Sequence, residues 1–94
     1  MRHALRTIRS RMRQGAYAVT THFADEMRND RLFWPDILAA IDGARRCIDD
    51  GCDAEGDPKY RLGGHSLDGR AIEIVCVVKD LVILVTVYAL RSRK

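Results

Sequence analysis

The sequence predicts an α+β fold, with helices in the first half of the chain and antiparallel strands in the second. Apolar residues recur at helical spacing as far as Ile41, whereas from Tyr60 onward they form strand-length runs separated by turn residues. The chain has 94 residues, 47% hydrophobic and 31% charged, a balance typical of one globular domain. Because no repeat or linker interrupts it, we expect a single domain over residues 1–94.

Three helices are predicted. A basic N-terminal helix within residues 1–16 has its apolar stripe at Leu5, Ile8 and Met12, and ends near Gly15. A short extended segment follows, and Thr21 is expected to cap the second helix. Pro35 begins the third helix and Gly43 ends it. The predicted buried stripe of the third helix consists of Trp34, Ile37, Leu38 and Ile41.

The second half predicts a mostly antiparallel sheet of about four strands. These strands are expected over residues 46–49, 60–66, 71–78 and 81–90. An acidic loop follows the first strand, Asp68-Gly69 marks a hairpin turn, and Lys79-Asp80 marks a tight turn before the last strand. The apolar run from Leu81 to Val85 is typical of a central strand covered on both faces.

The last hairpin places polar side chains together. If Lys79-Asp80 is a two-residue turn, Val78 pairs with Leu81 and Glu73 lies opposite Thr86. Tyr88 then lies opposite Ala71, and Glu73, Thr86 and Tyr88 share one face. A carboxylate, a phenol and a hydroxyl on one face suit proton transfer at a phosphodiester. The alternative is a solvated glutamate beside two ordinary strand residues.

Arg61 is the natural phosphate ligand for such a face, since a guanidinium holds an oxyanion bidentately. Whether Arg61 reaches it depends on the loop at Asp68-Gly69. A three-residue loop with a bulge places Arg61 on that face, whereas a two- or four-residue loop does not. His65 has the same parity and moves with Arg61.

His22 is a further candidate base. At the start of the second helix, the positive end of the helix dipole favours its neutral form. The alternative is a structural histidine near a helix end.

Charge is unevenly distributed along the chain. The formal net charge is +3, no acidic residue occurs from Met1 to Thr21, and the tail adds Arg91, Arg93 and Lys94. Such a basic end attracts phosphate or an acidic protein partner, or is a solvated helix face.

The three cysteines, Cys47, Cys52 and Cys76, are typical of a reducing compartment rather than a disulfide framework. No metal site is predicted, because the Cys47-x4-Cys52 pair lacks a second pair. The sequence has no phosphate-binding glycine loop, so no cofactor is expected. With no apolar stretch of membrane-spanning length and no export signal, we expect a cytoplasmic protein without membrane contact.

Several short motifs resemble the bacterial family called domain of unknown function 4258. They are Thr20-Thr21-His22-Phe23-Ala24-x-x-Met27-x-x-x-Arg31, Pro35-Asp36-Ile37, Tyr60-Arg61-Leu62, Asp68-Gly69-Arg70 and the closing Thr86-Val87-Tyr88. In order and spacing, the resemblance covers about residues 17–89.

That family is thought to be related to RelE and ParE toxins and to barnase-like and colicin-like ribonucleases. The resemblance therefore implies helices on a curved four-stranded antiparallel sheet, with a RelE-like core over residues 17–90. It also implies metal-independent RNA cleavage through the 2′-hydroxyl. The matching positions are His22, Arg61, Thr86 and Tyr88, to which the hairpin register adds Glu73.

The functional prediction is a toxin-like endoribonuclease of a toxin–antitoxin type system, cutting mRNA or tRNA and neutralised by a cognate antitoxin. The main alternative is a non-catalytic module that binds a protein partner, as ParE-type proteins poison an enzyme. A small regulatory subunit is a third interpretation, and a homodimer is left open.

Overall fold

The computed structural model describes residues 2–90 and confirms the α+β class, with three helices and one five-stranded sheet. The elements are α1 (Arg2–Arg13), β1 (Tyr17–Val19), α2 (Thr21–Asn29), α3 (Trp34–Asp42), β2 (Arg46–Cys52), β3 (Pro58–His65), β4 (Ala71–Val78) and β5 (Val82–Ala89). The strand order is β1-β5-β4-β3-β2. The predicted basic tail over residues 91–94 lies outside the described residues.

The sheet has five strands and is mixed, which corrects the prediction of about four antiparallel strands. The additional strand is β1, which pairs in parallel with β5 from Tyr17 opposite Val82 to Val19 opposite Leu84. The sequence marks this segment as extended, but three residues carry too little periodicity to reveal a partner. The chain passes from α1 to β1 through a turn at Gly15, where φ is 76°, a conformation that glycine adopts readily.

The N-cap of α2 is Thr20, one residue before the predicted Thr21. The oxygen of the Thr20 hydroxyl accepts the Phe23 N–H at 3.1 Å, and its O–H donates to the carbonyl of Leu84 at 3.0 Å. One side chain therefore closes the first turn of α2 and fixes the end of β1 to β5.

All three helices cover the same face of the sheet. The core formed there includes Ile8 of α1, Phe23 of α2 and Ile37 of α3, packed with strand residues such as Ile74 and Leu84. Each of these side chains is essentially buried. The opposite face, called the open face below, carries the half-exposed positions of β3, β4 and β5.

Two predictions of burial are wrong. Leu38 is 40% exposed, and Ala40 takes its place in the core, because α3 lies so close to β3 that only a small side chain fits. The β5 run is not covered on both faces. Its residues Ile83 and Val85 remain half-exposed because the helices all lie on the other side.

The register of the last hairpin also differs from the prediction. The turn has three residues, so Val78 pairs with Val82 rather than with Leu81. A bulge follows, where Val75 pairs with Thr86 but Cys76 pairs with Leu84, which leaves Val85 without a partner. Each of these adds one residue. Together they shift the pairing by two positions, and the predicted set of side chains stays on one face.

None of the helices among residues 2–90 is long and apolar enough to cross a membrane.

Gly64 marks the closest approach of the helices to the sheet. A Cβ atom at this position would lie 2.3 Å from the backbone oxygen of Ala40, whereas a Cβ at Gly63 would lie 3.2 Å from the flexible side chain of Arg46. We therefore expect Gly64→Ala to lower the free energy of unfolding by about 3 kcal/mol, because α3 must move away from β3.

The measurement is urea unfolding followed by circular dichroism, with Gly63→Ala as the matched control. That neighbouring substitution should cost less than about 1 kcal/mol, since only a mobile side chain must yield. Equal destabilisation by the two variants would contradict the proposed contact between α3 and β3.

Candidate active site

The open face brings five polar side chains together, from β2, β3, β4 and β5. This open-face cluster consists of Arg46, Asp50, Arg61, Glu73 and Tyr88. Across the sheet, Arg46 lies opposite Gly63, Gly63 opposite Glu73, and Glu73 opposite Tyr88. Because Gly63 has no side chain, the Arg46 guanidinium can extend over β3 to Glu73.

The loop between β3 and β4 decides the position of Arg61. Five residues, 66–70, connect His65 to its partner Ala71. An odd number of loop residues places Arg61 opposite Val75, on the same face as Glu73. The sequence left open whether Arg61 shares a face with Glu73, and in the structure it does. The loop that places it there has five residues rather than three.

Glu73 is the centre of the cluster. Its Oε1 accepts a hydrogen bond from Arg61 Nη1 at 3.3 Å and another from the Tyr88 hydroxyl. Its Oε2 lies 3.4 Å from Arg46 Nη2. With only 13% of its side chain exposed, Glu73 has both oxygens bound by donors from three different strands.

Arg61 joins the remaining members. Besides Glu73, its Nη1 lies 3.2 Å from the Tyr88 hydroxyl oxygen, and its Nη2 donates to Asp50 Oδ2 at 3.2 Å. The hydrogen bond to Asp50, more than any other contact, raises the pKa of Arg61, so this guanidinium is charged throughout the accessible pH range.

Tyr88 is held in its protonated form. Its hydrogen bond to Glu73, followed by partial burial, raises the pKa of Tyr88 above the ordinary value of 10.0. At neutral pH the cluster therefore contains a phenol that can donate a proton beside a carboxylate and two guanidinium groups. Such a set can bind an oxyanion and move protons on either side of it.

Two other predicted site residues lie outside these contacts. Thr86 lies on the open face opposite Val75, two residues along each strand from the Glu73–Tyr88 pair. Its hydroxyl forms no hydrogen bond within residues 2–90. His22 is exposed on α2, where its Nε2 lies 3.7 Å from Glu26 Oε1. Within the described residues, the structure does not connect His22 to the cluster by any hydrogen bond or ion pair.

Sequence reasoning missed Arg46 and Asp50. It placed Arg46 in a short edge strand and Asp50 in a solvated acidic loop. In the structure β2 continues to Cys52, so that Arg46, Ile48 and Asp50 share a face at alternate positions. The alternation was visible in the sequence, but Gly51 and the acidic residues around it suggested a loop.

The cysteines and the acidic loop do not add to the cluster. Burial raises the pKa of Cys76 to about 12 and also raises that of the half-buried Cys47. Within residues 2–90, the one group that brings three metal-ligating side chains together is Asp53, Glu55 and Asp57, in the loop before β3. The Lys79 ammonium forms ion pairs with Glu55 and Asp57.

Comparison with known proteins finds one family. The family model described as "Domain of unknown function (DUF4258)" matches residues 19–89, which include all four strands that carry the open-face cluster. No curated protein and no solved structure matches the chain.

The contribution of the Glu73–Tyr88 hydrogen bond to the free energy of unfolding depends on pH. Below pH ~10 both the folded and the unfolded tyrosine are protonated, and the contribution of Tyr88 to stability is fully present. It is lost as the pH rises through the higher folded pKa. We expect Glu73→Gln to lower the pKa of Tyr88, because the negative charge that disfavours the phenolate is removed.

NMR of isotope-labelled tyrosine measures this pKa directly, with the Tyr88→Phe spectrum assigning the resonance. Glu55→Gln is the matched control, since Glu55 lies in the acidic loop and pairs with Lys79. An unchanged Tyr88 pKa in Glu73→Gln would show that the carboxylate does not hold the phenol.

Proposed function

The chain belongs to the family described as domain of unknown function (DUF4258), and on this premise we propose that it is a toxin-like, metal-independent endoribonuclease. The observation that carries the proposal is the meeting of Arg61, Glu73 and Tyr88 at one carboxylate oxygen on the open face. An anion-binding group, a base and a proton donor are the three parts that cleavage through the 2′-hydroxyl requires.

In the proposed reaction Arg61, with Arg46, binds the scissile phosphate. Glu73 takes the proton of the 2′-hydroxyl, whose oxygen attacks phosphorus and forms a 2′,3′-cyclic phosphate. The bond from phosphorus to the 5′-oxygen breaks, and Tyr88 gives its proton to that oxygen. The hydrogen bond between Tyr88 and Glu73 then returns the proton to the phenol, which restores both groups.

Asp50 competes with the substrate in this scheme. It occupies one side of the Arg61 guanidinium, so a phosphate must displace it. Both side chains are about one third exposed, so a phosphate can approach the Arg61–Asp50 pair from the solvent. Exchange of the Asp50 carboxylate for a phosphate is therefore feasible at Arg61.

Thr86 and His22 have secondary places in the proposal. Thr86 lies next to the row of Glu73 and Tyr88, where its hydroxyl can contact the ribose or phosphate of a bound RNA. His22 is supported by the family resemblance and by its place on α2, without a contact to the cluster. The cellular substrate is mRNA or tRNA, and a cognate antitoxin neutralises the activity.

We expect Arg61→Ala to lower RNA cleavage by at least about 100-fold, because the group that stabilises the charged phosphorus centre is removed. The protein is expressed by induction in a bacterial host, and growth and total RNA integrity are measured. Cleavage of RNA by the purified protein is measured in parallel. Asp50→Asn should retain or increase cleavage, since it releases Arg61.

Arg28→Ala is the matched control, as Arg28 is an exposed arginine on α2 paired with Asp25. Circular dichroism establishes that each variant is folded. Cleavage that persists in Arg61→Ala, or no cleavage by folded wild-type protein, would sink the ribonuclease proposal.

One observation favours the second candidate, a protein-binding module. Among the described residues, the two most exposed large apolar side chains are Phe33, at 69%, and Leu67, at 70%. The buried Asp36 accepts the backbone N–H groups of both residues at 2.9 Å and so holds them side by side. Trp34 is less suited to this role, because it packs against Tyr17 with ring centroids 5.3 Å apart.

The double variant Phe33→Ser/Leu67→Ser separates the two candidates. Exposed side chains contribute little to folding, so its stability should stay within about 0.5 kcal/mol of wild type. We expect the variant to cleave RNA as well as wild type does. The binding module would instead be favoured by two results together. The wild-type protein would inhibit growth while cellular RNA stays intact, and the double variant would no longer inhibit growth.

A further inference from the structure

We propose that a line of arginines leads from α1 around the edge of the sheet to the open-face cluster and binds the phosphate backbone of a single-stranded RNA. This arginine track consists of Arg6, Arg9, Arg13, Arg45, Arg46 and Arg61. Only the cleavage of the strand at Arg61 rests on the proposed function. Binding along the rest of the track stands on the observations that follow.

The track begins on α1, where Arg6, Arg9 and Arg13 recur at spacings of three and four residues. This spacing places them on one face of the helix. Together with Leu5 they line a shallow groove of about 330 Å³. Because α1 contains no acidic residue, no carboxylate on the same helix neutralises this stripe.

Arg9 joins α1 to the start of β2. Its Nε donates to the carbonyl of Ile41 at 3.0 Å and its Nη2 to the carbonyl of Ala44 at 2.9 Å. Ala44 directly precedes Arg45 and Arg46 in the chain. The α1 stripe is thereby fixed beside the first residues of β2.

Arg45 and Arg46 carry the track around the sheet edge. β2 is an edge strand, and both arginines are exposed. Arg46 is the first residue of β2 and lies on the open side, opposite Gly63, and Arg45 directly precedes it in the chain. Arg46 then extends over Gly63 to within 3.4 Å of Glu73, which Arg61 also contacts.

Charge along the track favours a polyanion. Within residues 2–90, three of its six guanidinium groups, those of Arg13, Arg46 and Arg61, form ion pairs, and their partners are Asp42, Asp50 and Glu73. The Arg13–Asp42 pair is about 70% exposed on both sides, and such a pair contributes little to stability. A phosphate can therefore displace Asp42 from Arg13 at little cost, and the excess of guanidinium groups over carboxylates along the track attracts a polyanion.

The course of the track favours a single strand. The arginines pass from the helix layer to the open face around one edge strand, which demands a sharp bend of the ligand. A duplex resists such bending, because even the DNA double helix has a persistence length of about 150 base pairs. A single strand follows a curved basic groove at little cost.

Binding to an uncleavable 2′-O-methyl RNA of about twelve nucleotides, a length within the usual site range of single-strand-binding proteins, tests the track. Fluorescence anisotropy gives the affinity at several salt concentrations. In Arg6→Gln/Arg13→Gln we expect binding to weaken about tenfold, and the slope of log affinity against log salt to decrease by about 1.4, because two phosphate contacts are lost. Arg9 is kept, since it holds the end of α3.

Arg28→Gln/Arg31→Gln removes the same charge at the end of α2 and should bind as wild type does. Equal weakening in the two double variants, or none in the track variant, would overturn the proposal. Binding of the corresponding duplex as tightly as the single strand would also overturn the proposal. So would tight binding of polyglutamate that weakens equally in Arg6→Gln/Arg13→Gln.

The same variants separate the track from the ribonuclease proposal. Suppose that ordinary RNA stays intact, and that Arg6→Gln/Arg13→Gln weakens binding to 2′-O-methyl RNA whereas Arg28→Gln/Arg31→Gln does not. The ribonuclease proposal then fails and the track stands. If Arg61→Ala abolishes cleavage while Arg6→Gln/Arg13→Gln binds as tightly as wild type, the track fails and the ribonuclease proposal stands.

Discussion

The register of the hairpin between β4 and β5 is the constraint on which the site depends. Side chains of a strand alternate between faces, so one residue more or less exchanges its two faces. In this hairpin a three-residue turn and a bulge at Val85 act together. Val82 and Leu84 point into the core before the bulge, whereas Thr86 and Tyr88 point to the open face after it. Without the bulge, Tyr88 would point to the same side as Leu84.

Glu73 turns that geometry into a chemical site. A carboxylate on a half-buried sheet face needs donors, and here three strands supply them through Arg46, Arg61 and Tyr88. The same contacts that satisfy Glu73 keep Tyr88 protonated and hold Arg61 in place. Stability and the proposed chemistry thus rest on the same hydrogen bonds, with Asp50 as the group that a phosphate must displace.

The helices affect the candidate site mainly because they pack on the opposite face of the sheet and leave the open face uncovered. All three pack on one side, and α3 reaches β3 closely because Gly64 faces Ala40. α1 precedes the segment that the family model matches. Its arginine stripe therefore lies outside the matched segment and is fixed beside the start of β2 by Arg9.

Glycines, Pro35 and apolar periodicity were enough to predict the three helices and the four antiparallel strands in their order, because these signals act within a few residues. The sequence also placed Glu73 and Tyr88 on one face, although through two errors that cancelled. Contacts between distant segments decide three further features: the parallel pairing of β1 with β5, the face on which Arg61 lies, and the positions of Arg46 beside Glu73 and of Asp50 beside Arg61. These depend on loop lengths and pairings between distant segments, where a change of one residue reverses a face and no local pattern records the outcome.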